Sequence, residues 1–213
     1  MRYITILLLC SNIAFSQQTN KAYEIPFASK ENVIELSVAN SSTLAAEGIK
    51  VEVTNPPAWL KFTKKSFDLA SLKSKAESSA SFTFSVEKTA EVNKDQTLKF
   101  TITDKNGQKW TKEITIKITP PTTYELFQNY PNPFNPTTKI EYQLPAAGMV
   151  ILKIYDVLGK EVVSLVNEQQ EAGYHQSLFD AHRLASGTYI YRLQATDDQN
   201  NHHIFQKKML MVK

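Results

Sequence analysis

Apolar and polar residues alternate with a period of two along most of this chain. Ile34, Leu36 and Val38 are separated by Glu35 and Ser37, and Ile49, Val51 and Val53 by Lys50 and Glu52. The same rhythm runs through Phe82, Phe84 and Val86, then Leu98, Phe100 and Ile102, then Ile114, Ile116 and Ile118. Successive side chains of a strand face opposite sides, so each run offers one apolar face and one wet face. Two shorter runs complete the set: Trp59, Leu60 and Phe62 after the Pro56-Pro57 break, and Phe67 with Leu69. Together they give residues 31–119 about seven strands at short spacing, the pattern of a β-sandwich. Asp104-Lys105-Asn106-Gly107 predicts a hairpin turn pivoting on Gly107. Residues 70–79 read as a loop, because Leu72 has no apolar partner at helical spacing. Residues 17–30 are polar with little periodicity and read as an N-terminal tail.

Thr119-Pro120-Pro121-Thr122-Thr123 interrupts the pattern. A Thr/Pro run cannot pair as a central strand and behaves as a semi-rigid spacer, which places a linker at 120–126 and a second domain at 127–213. There the alternation resumes at 139–144, at Val150, Leu152 and Ile154, and from Val162 to Val166. Further runs follow from His175 to Phe179, from Thr188 to Leu193 and from Phe205 to Val212. Asp156 to Lys160 with Gly159, Glu171-Ala172-Gly173 and Ser186-Gly187 are the predicted turns, and Asp197 to Asn201 is a polar hairpin loop.

The second domain opens on Tyr130-Pro131-Asn132-Pro133-Phe134-Asn135-Pro136. Three prolines remove three backbone donors and fix φ, so neither a helix interior nor a central strand runs through this segment. A stiff extended arm is expected. Its backbone shape is set by the prolines and asparagines, and Tyr130 and Phe134 are its apolar anchors.

Residues 127–213 resemble the type A C-terminal sorting domain of the type IX secretion system. The resemblance rests on Y-P-N-P-F-N-P at 130–136, I-Y-D-V-L-G-K at 154–160 and A-G-Y-H at 172–175, then L-A-S-G-T-Y-I-Y at 184–191 and K-M-L-M-V-K at 208–213. The segment is also similar to the immunoglobulin-like domain of flagellar hook-capping proteins. The resemblance implies an address read by an outer-membrane translocon. Its sorting residues would be Tyr130, Pro131, Asn132, Pro133, Phe134, Asn135 and Pro136 in the arm, Tyr155, Asp156, Gly159, Gly173, Gly187 and Tyr189 in the body, and Lys208 and Lys213 in the last strand. It also implies removal by a sortase-like peptidase, with the cut between Thr119 and Leu126. The passenger is then released or joined to a surface lipopolysaccharide. Residues 31–119, through Pro57-Ala58-Trp59-Leu60 and the strand pattern, resemble the immunoglobulin-like modules appended to secreted bacterial enzymes.

The N-terminus adds a compartment. Arg2, an apolar run from Ile4 to Cys10, and Ala14-Phe15-Ser16 read as a secretory signal peptide over residues 1–16, cleaved between Ser16 and Gln17. Cys10 is the only cysteine. Lipoprotein processing at Cys10 is disfavoured by the large Leu9 before it. Cleavage after Ser16 would leave no cysteine, and hence no disulfide, thiol nucleophile or thiolate metal site.

Charge and motifs narrow the chemistry further. A net charge of +3 with no basic run longer than two residues gives no nucleic-acid face. No G-x-S-x-G elbow, P-loop or H-E-x-x-H is present. His175, His182, His202 and His203 do not form a converging ligand set, and Asp197, Asp198, Asn200 and Asn201 lack EF-hand spacing. Trp59 and Trp110 read as core anchors.

The expectation is an all-β chain: two immunoglobulin-like β-sandwiches in tandem after a cleaved signal peptide. Functionally it reads as a monomeric, secreted or cell-surface protein without catalytic activity or cofactor, its first sandwich serving as a surface binding or spacer module. Three alternatives stay open. A carbohydrate-binding or adhesin module requires an exposed aromatic patch. A C-terminal remnant of a larger hydrolase and a flagellar hook-cap scaffold are both opposed by the chain's own signal peptide.

Overall fold

A computed structural model describes the backbone of residues 3–10 and the whole of residues 22–213. The chain divides into two compact units, 1–119 and 120–213. All regular elements among the described residues are β-strands.

The first unit contains β1 (Tyr3–Cys10), β2 (Tyr23–Pro26), β3 (Asn32–Asn40), β4 (Ala46–Thr54), β5 (Leu60–Phe62), β6 (Ser66–Leu72), β7 (Glu77–Val86), β8 (Asp95–Thr103) and β9 (Lys109–Thr119). They form two sheets, ordered β1-β3-β7-β5 and β2-β9-β8-β4-β6. The predicted alternation is the reason they pack. Ile34, Leu36, Val51, Phe82, Phe84, Phe100 and Ile116 point inward and are buried, while the polar residues that alternate with them are exposed or half-buried, except Ser37, which is buried and donates to the Glu77 carboxylate.

Several features depart from the sequence reading. Of residues 70–79, read as a loop, only 73–76 lie between strands: β6 runs through Leu72, which is buried in the core, and β7 begins at Glu77. Tyr23–Pro26, inside the predicted tail, is a strand running parallel to β9 with Tyr23 opposite Ile116. It carries only one core residue, Ile25, too little for a periodic signal. Trp59 packs against the core as expected. Trp110 does not: opposite Ile102 near the start of β9, it is 37% exposed. The apolar run of the predicted leader lies as β1 beside β3, in parallel register from Tyr3–Val33 to Cys10–Asn40. The cleavage position Ser16–Gln17 lies outside the described residues.

The second unit contains β10 (Glu125–Leu126), β11 (Thr137–Leu144), β12 (Gly148–Tyr155), β13 (Glu161–Gln170), β14 (Gly173–Asp180), β15 (Gly187–Asp197) and β16 (His202–Met211). Its sheets are β10-β11-β14 and β13-β12-β15-β16. Ile140, Tyr142, Leu144, Leu152, Ile154, Tyr191 and Leu193 fill the space between them. Glu125 and Leu126, expected in the linker, already pair with Gln143 and Tyr142. Burial of Leu126 in the core draws the chain onto the sheet earlier than the Thr/Pro composition suggests.

Candidate functional site

Strand direction brings most of the motif segments to one end of the second sandwich. β12 ends at Tyr155, and its antiparallel neighbour β15 begins at Gly187. β16 in turn ends at Met211, opposite Gly187. The 156–160 turn, Ser186-Gly187 and the C-terminal residues therefore share that end. The arm arrives there too, because Phe134 bridges Met211 and β11 starts at Thr137 opposite Asp180. Gly173 is the exception. It stands opposite Leu144, at the other end of the sandwich, with the rest of the 172–175 segment.

The arm is folded onto the sandwich rather than extended from it. Its Tyr130-Pro131 and Asn132-Pro133 peptide bonds are cis. Of the two expected anchors, only Phe134 serves: it is 1% exposed and its ring lies 5.9 Å from that of Phe179. Tyr130 is 80% exposed, while its backbone N–H and C=O pair with Lys139. The anchoring tyrosine is Tyr191, wholly buried on β15. Its hydroxyl donates to the Phe127 carbonyl at 2.9 Å and accepts from the Asn129 N–H at 2.9 Å. Burial pushes the Tyr191 phenol up to about 12, against a smaller opposing effect of the Asn129 hydrogen bond. Asn129 is itself buried, and its side-chain amide donates to the Pro131 carbonyl and to the Thr138 hydroxyl, both at 3.0 Å. Thr138 closes the loop by donating to the Pro131 carbonyl at 2.8 Å.

The arm also takes up the outer edge of the last strand. The Gln128 amide donates to the Lys208 carbonyl, and the Leu210 N–H donates to the Asn132 carboxamide oxygen, each at 2.9 Å. The Phe134 N–H donates to the Leu210 carbonyl, and the Val212 N–H to the Phe134 carbonyl, each at 3.0 Å. Backbone groups of an edge strand are otherwise left open to pairing. Pro131, Pro133 and Asn135 lie exposed, and the Pro136 carbonyl accepts the Ala181 N–H.

The other predicted residues have structural tasks at the same end. The Asp156 carboxylate accepts the N–H groups of Leu158 and Lys160, and Gly159 takes φ +80°, a conformation that favours glycine. The Arg192 guanidinium sits 5.2 Å from the centre of the Tyr155 ring. Tyr189 donates to the Ala185 carbonyl, Lys213 donates its N–H to Ser186, and Gly187 begins β15. Gln128, Asn129, Thr138 and Tyr191, which hold the arm, were not singled out from the sequence. Their one signal was proximity to the proline motif for the first three, and membership of the L-A-S-G-T-Y-I-Y segment for Tyr191.

Elsewhere, polar side chains are engaged in turns. The Asp197 carboxyl is held below its usual range, first by the Asn201 side-chain amide and then by backbone N–H groups at Asn201 and Gln199. The Asp180 carboxyl is lowered chiefly by the His182 backbone N–H. His203 stacks on Tyr124 with ring centres 3.9 Å apart. No group of three potential metal ligands converges among the described residues.

The C-terminal unit is thus a two-sheet β-sandwich whose proline arm and last strand form one composite end. Residues 128–207 match the family described as the secretion system C-terminal sorting domain. The C-terminal unit is a sorting domain of the type IX secretion system, a non-catalytic domain that interacts with that machinery and directs the chain to the cell surface or the medium. No curated protein matches the chain.

Among solved structures, dimeric latent PorU from Porphyromonas gingivalis is similar at 13% identity and TM-score 0.36, over 92% of this chain and 19% of that one. CopC from Methylosinus trichosporium OB3b is similar at 16% identity and TM-score 0.31, over 42% of this chain and 93% of that one. The calcium binding domain CBD12 of CALX1.1 is similar at 10% identity and TM-score 0.37, over 84% and 79%. Similarities at this level carry no weight for function.

Proposed function

We propose that the composite end of the second sandwich is the surface the outer-membrane translocon reads, and that the first sandwich is the cargo, a non-catalytic binding or spacer module. The observation that carries this reading is the convergence of the arm, the 156–160 turn and the last strand at one end, with the arm hydrogen-bonded along the edge of β16. In this reading the signal peptide is removed between Ser16 and Gln17 before the outer-membrane step. A sortase-like peptidase then cuts the segment between the units. Thr122 and Thr123 are exposed there, whereas Leu126 is buried and its strand is paired, which narrows the expected cut to 119–124. The mature passenger is released or joined to surface lipopolysaccharide.

Deleting residues 120–213 in the native host should leave the passenger in the periplasm, and mass spectrometry of the exported wild-type protein should find peptides beginning at Gln17 and ending within 119–124. Export of the truncated chain refutes the sorting role.

Trp110 favours a carbohydrate-binding role for the passenger as a second reading. Its partly exposed indole borders a cavity of about 740 Å³ in the first unit, with buried Ile49, Leu72 and Ile102 and the polar Asp104 and Gln108 also in the lining. An indole face with nearby amide and carboxylate groups suits a sugar ring, whose C–H face stacks while its hydroxyls hydrogen-bond. Glycan-array binding that is lost in Trp110→Ala supports this reading, and no binding by the wild type removes it.

A further inference from the structure

Three hairpin tips in this protein are built alike. In the 104–108, 156–160 and 197–201 turns, an aspartate carboxylate accepts the N–H groups two and four residues on: Asn106 and Gln108, Leu158 and Lys160, Gln199 and Asn201. In each, the N–H three residues on donates to the aspartate's own carbonyl, at Gly107, Gly159 and Asn200. Those three residues have φ of +77°, +80° and +63°. The two corner positions differ. They hold Lys105-Asn106 in the first tip and Asp198-Gln199 in the third, side chains that suit water. In the second they hold Val157 and Leu158, which are 67% and 90% exposed. The turn geometry therefore makes no demand for apolar corners, since the same backbone is built twice with polar ones.

Val157 and Leu158 have company at their end of the sandwich. Leu210 on the last strand and Val212 just after it are 41% and 42% exposed, and Tyr130 of the arm 80%. β12 and β16 are separated by one strand, β15, so their axes lie about 10 Å apart in the sheet, and the tip that follows β12 shares one end of the sandwich with the end of β16. Both lie within or beside the segment that matches the sorting family.

We infer that the Val157-Leu158 tip is an apolar knob that enters a hydrophobic recess on the outer-membrane export machinery, with Leu210, Val212 and Tyr130 supplying the surrounding contact. The aspartate-capped turn holds the knob before binding, so little ordering entropy is lost on docking. This inference rests on the sorting reading above and names the part of the composite end that makes the apolar contact.

The test uses the protein's own control. Val157→Lys with Leu158→Asn turns the tip into Asp-Lys-Asn-Gly, the sequence that already makes this turn at 104–107. The full chain carrying the pair is expressed in the native host beside the 120–213 deletion. The swapped chain should keep the wild-type unfolding temperature while its export falls roughly ten- to hundredfold, the factor set by losing one buried leucine-sized contact. The reciprocal change, Lys105→Val with Asn106→Leu, should leave export unchanged. Blocked export of the deletion with wild-type export of the swapped tip overturns this inference alone. Export of both overturns the sorting reading and this inference with it.

Discussion

Tyr191→Phe removes one oxygen atom and tests how the arm is held. In the wild type that hydroxyl donates to the Phe127 carbonyl and accepts from the Asn129 N–H, inside the core. The phenyl ring of the variant fills the same space, so no cavity opens, but the Asn129 N–H loses its acceptor. A buried polar group left without a partner costs about 1–3 kcal/mol, and loss of the bond to Phe127 adds about 1 kcal/mol, so the second unit should lose about 2–4 kcal/mol at neutral pH.

The same phenol also governs the alkaline limb. Its folded state holds the proton up to about 12, whereas an unfolded tyrosine releases it near 10. Between those values the unfolded chain binds fewer protons, so the stabilisation is complete below about pH 10 and is lost as pH rises toward 12. Two pH units correspond to roughly 3 kcal/mol. Tyr142, pushed up to about 12 chiefly by burial, and Tyr174, raised by burial and by Glu141, add losses of the same sign, so Tyr191→Phe should remove part, not all, of the second unit's alkaline dependence.

The assay has an internal control, because both tryptophans, Trp59 and Trp110, lie in the first unit. Urea unfolding followed by tryptophan fluorescence should be unchanged, while tyrosine near-ultraviolet dichroism and amide exchange at Asn129, Leu210 and Val212 should shift. An unchanged second-unit midpoint at neutral pH, together with an unchanged alkaline limb, would refute the account of Tyr191 as the tie between core and arm.

Three further outcomes are expected. Phe134→Ala empties the arm's one buried ring and should cost about 3–5 kcal/mol, read as a lower denaturation midpoint of the second unit together with faster exchange at Val212. Gly148→Ala should destabilise by about 1–3 kcal/mol in urea unfolding, because a Cβ there would lie 2.3 Å from the Thr196 carbonyl oxygen on the paired strand. Acrylamide should quench Trp110 more strongly than Trp59, so Trp110→Phe should remove the more accessible component of the emission and Trp59→Phe the shielded one.

What could be read from the sequence follows the length of each signal. The seven longer or well-bounded runs of 31–119 all became strands, since each places several side chains on one buried face. β2 and β10 escaped notice because they contribute one core side chain each, Ile25 and Leu126, and one residue has no period. Phe134 and Tyr130 looked equivalent as aromatic anchors, yet one is buried and the other exposed. The choice depends on which way the arm folds over Met211 and Lys139. Trp110 looked like a core residue because aromatic content says nothing about position along a strand, and this one lies at the strand's open end. The polar network was invisible for a related reason. Tyr191 and Asn129 are 62 residues apart, and only strand pairing brings them together.

That separation bears on what the export machinery can recognise. The groups presented at the composite end come from the arm near 130, the turn near 158 and the strand ending at 211. The Asn132–Leu210 hydrogen bond alone joins residues 78 positions apart. None of these surfaces exists as a linear peptide. In an unfolded chain the arm has no edge to cover, and the β16 edge has no cap. A receptor that reads this end reads the folded domain, so loss of the arm's anchor and loss of the last strand should have the same consequence for export although they lie at opposite ends of the domain's sequence. The sequence motif is then best understood as a set of instructions for building one surface: Phe134 and Tyr191 hold the arm in place, Asn132 and the Phe134 backbone close the edge, and Asp156 with Gly159 raises the Val157-Leu158 tip beside it.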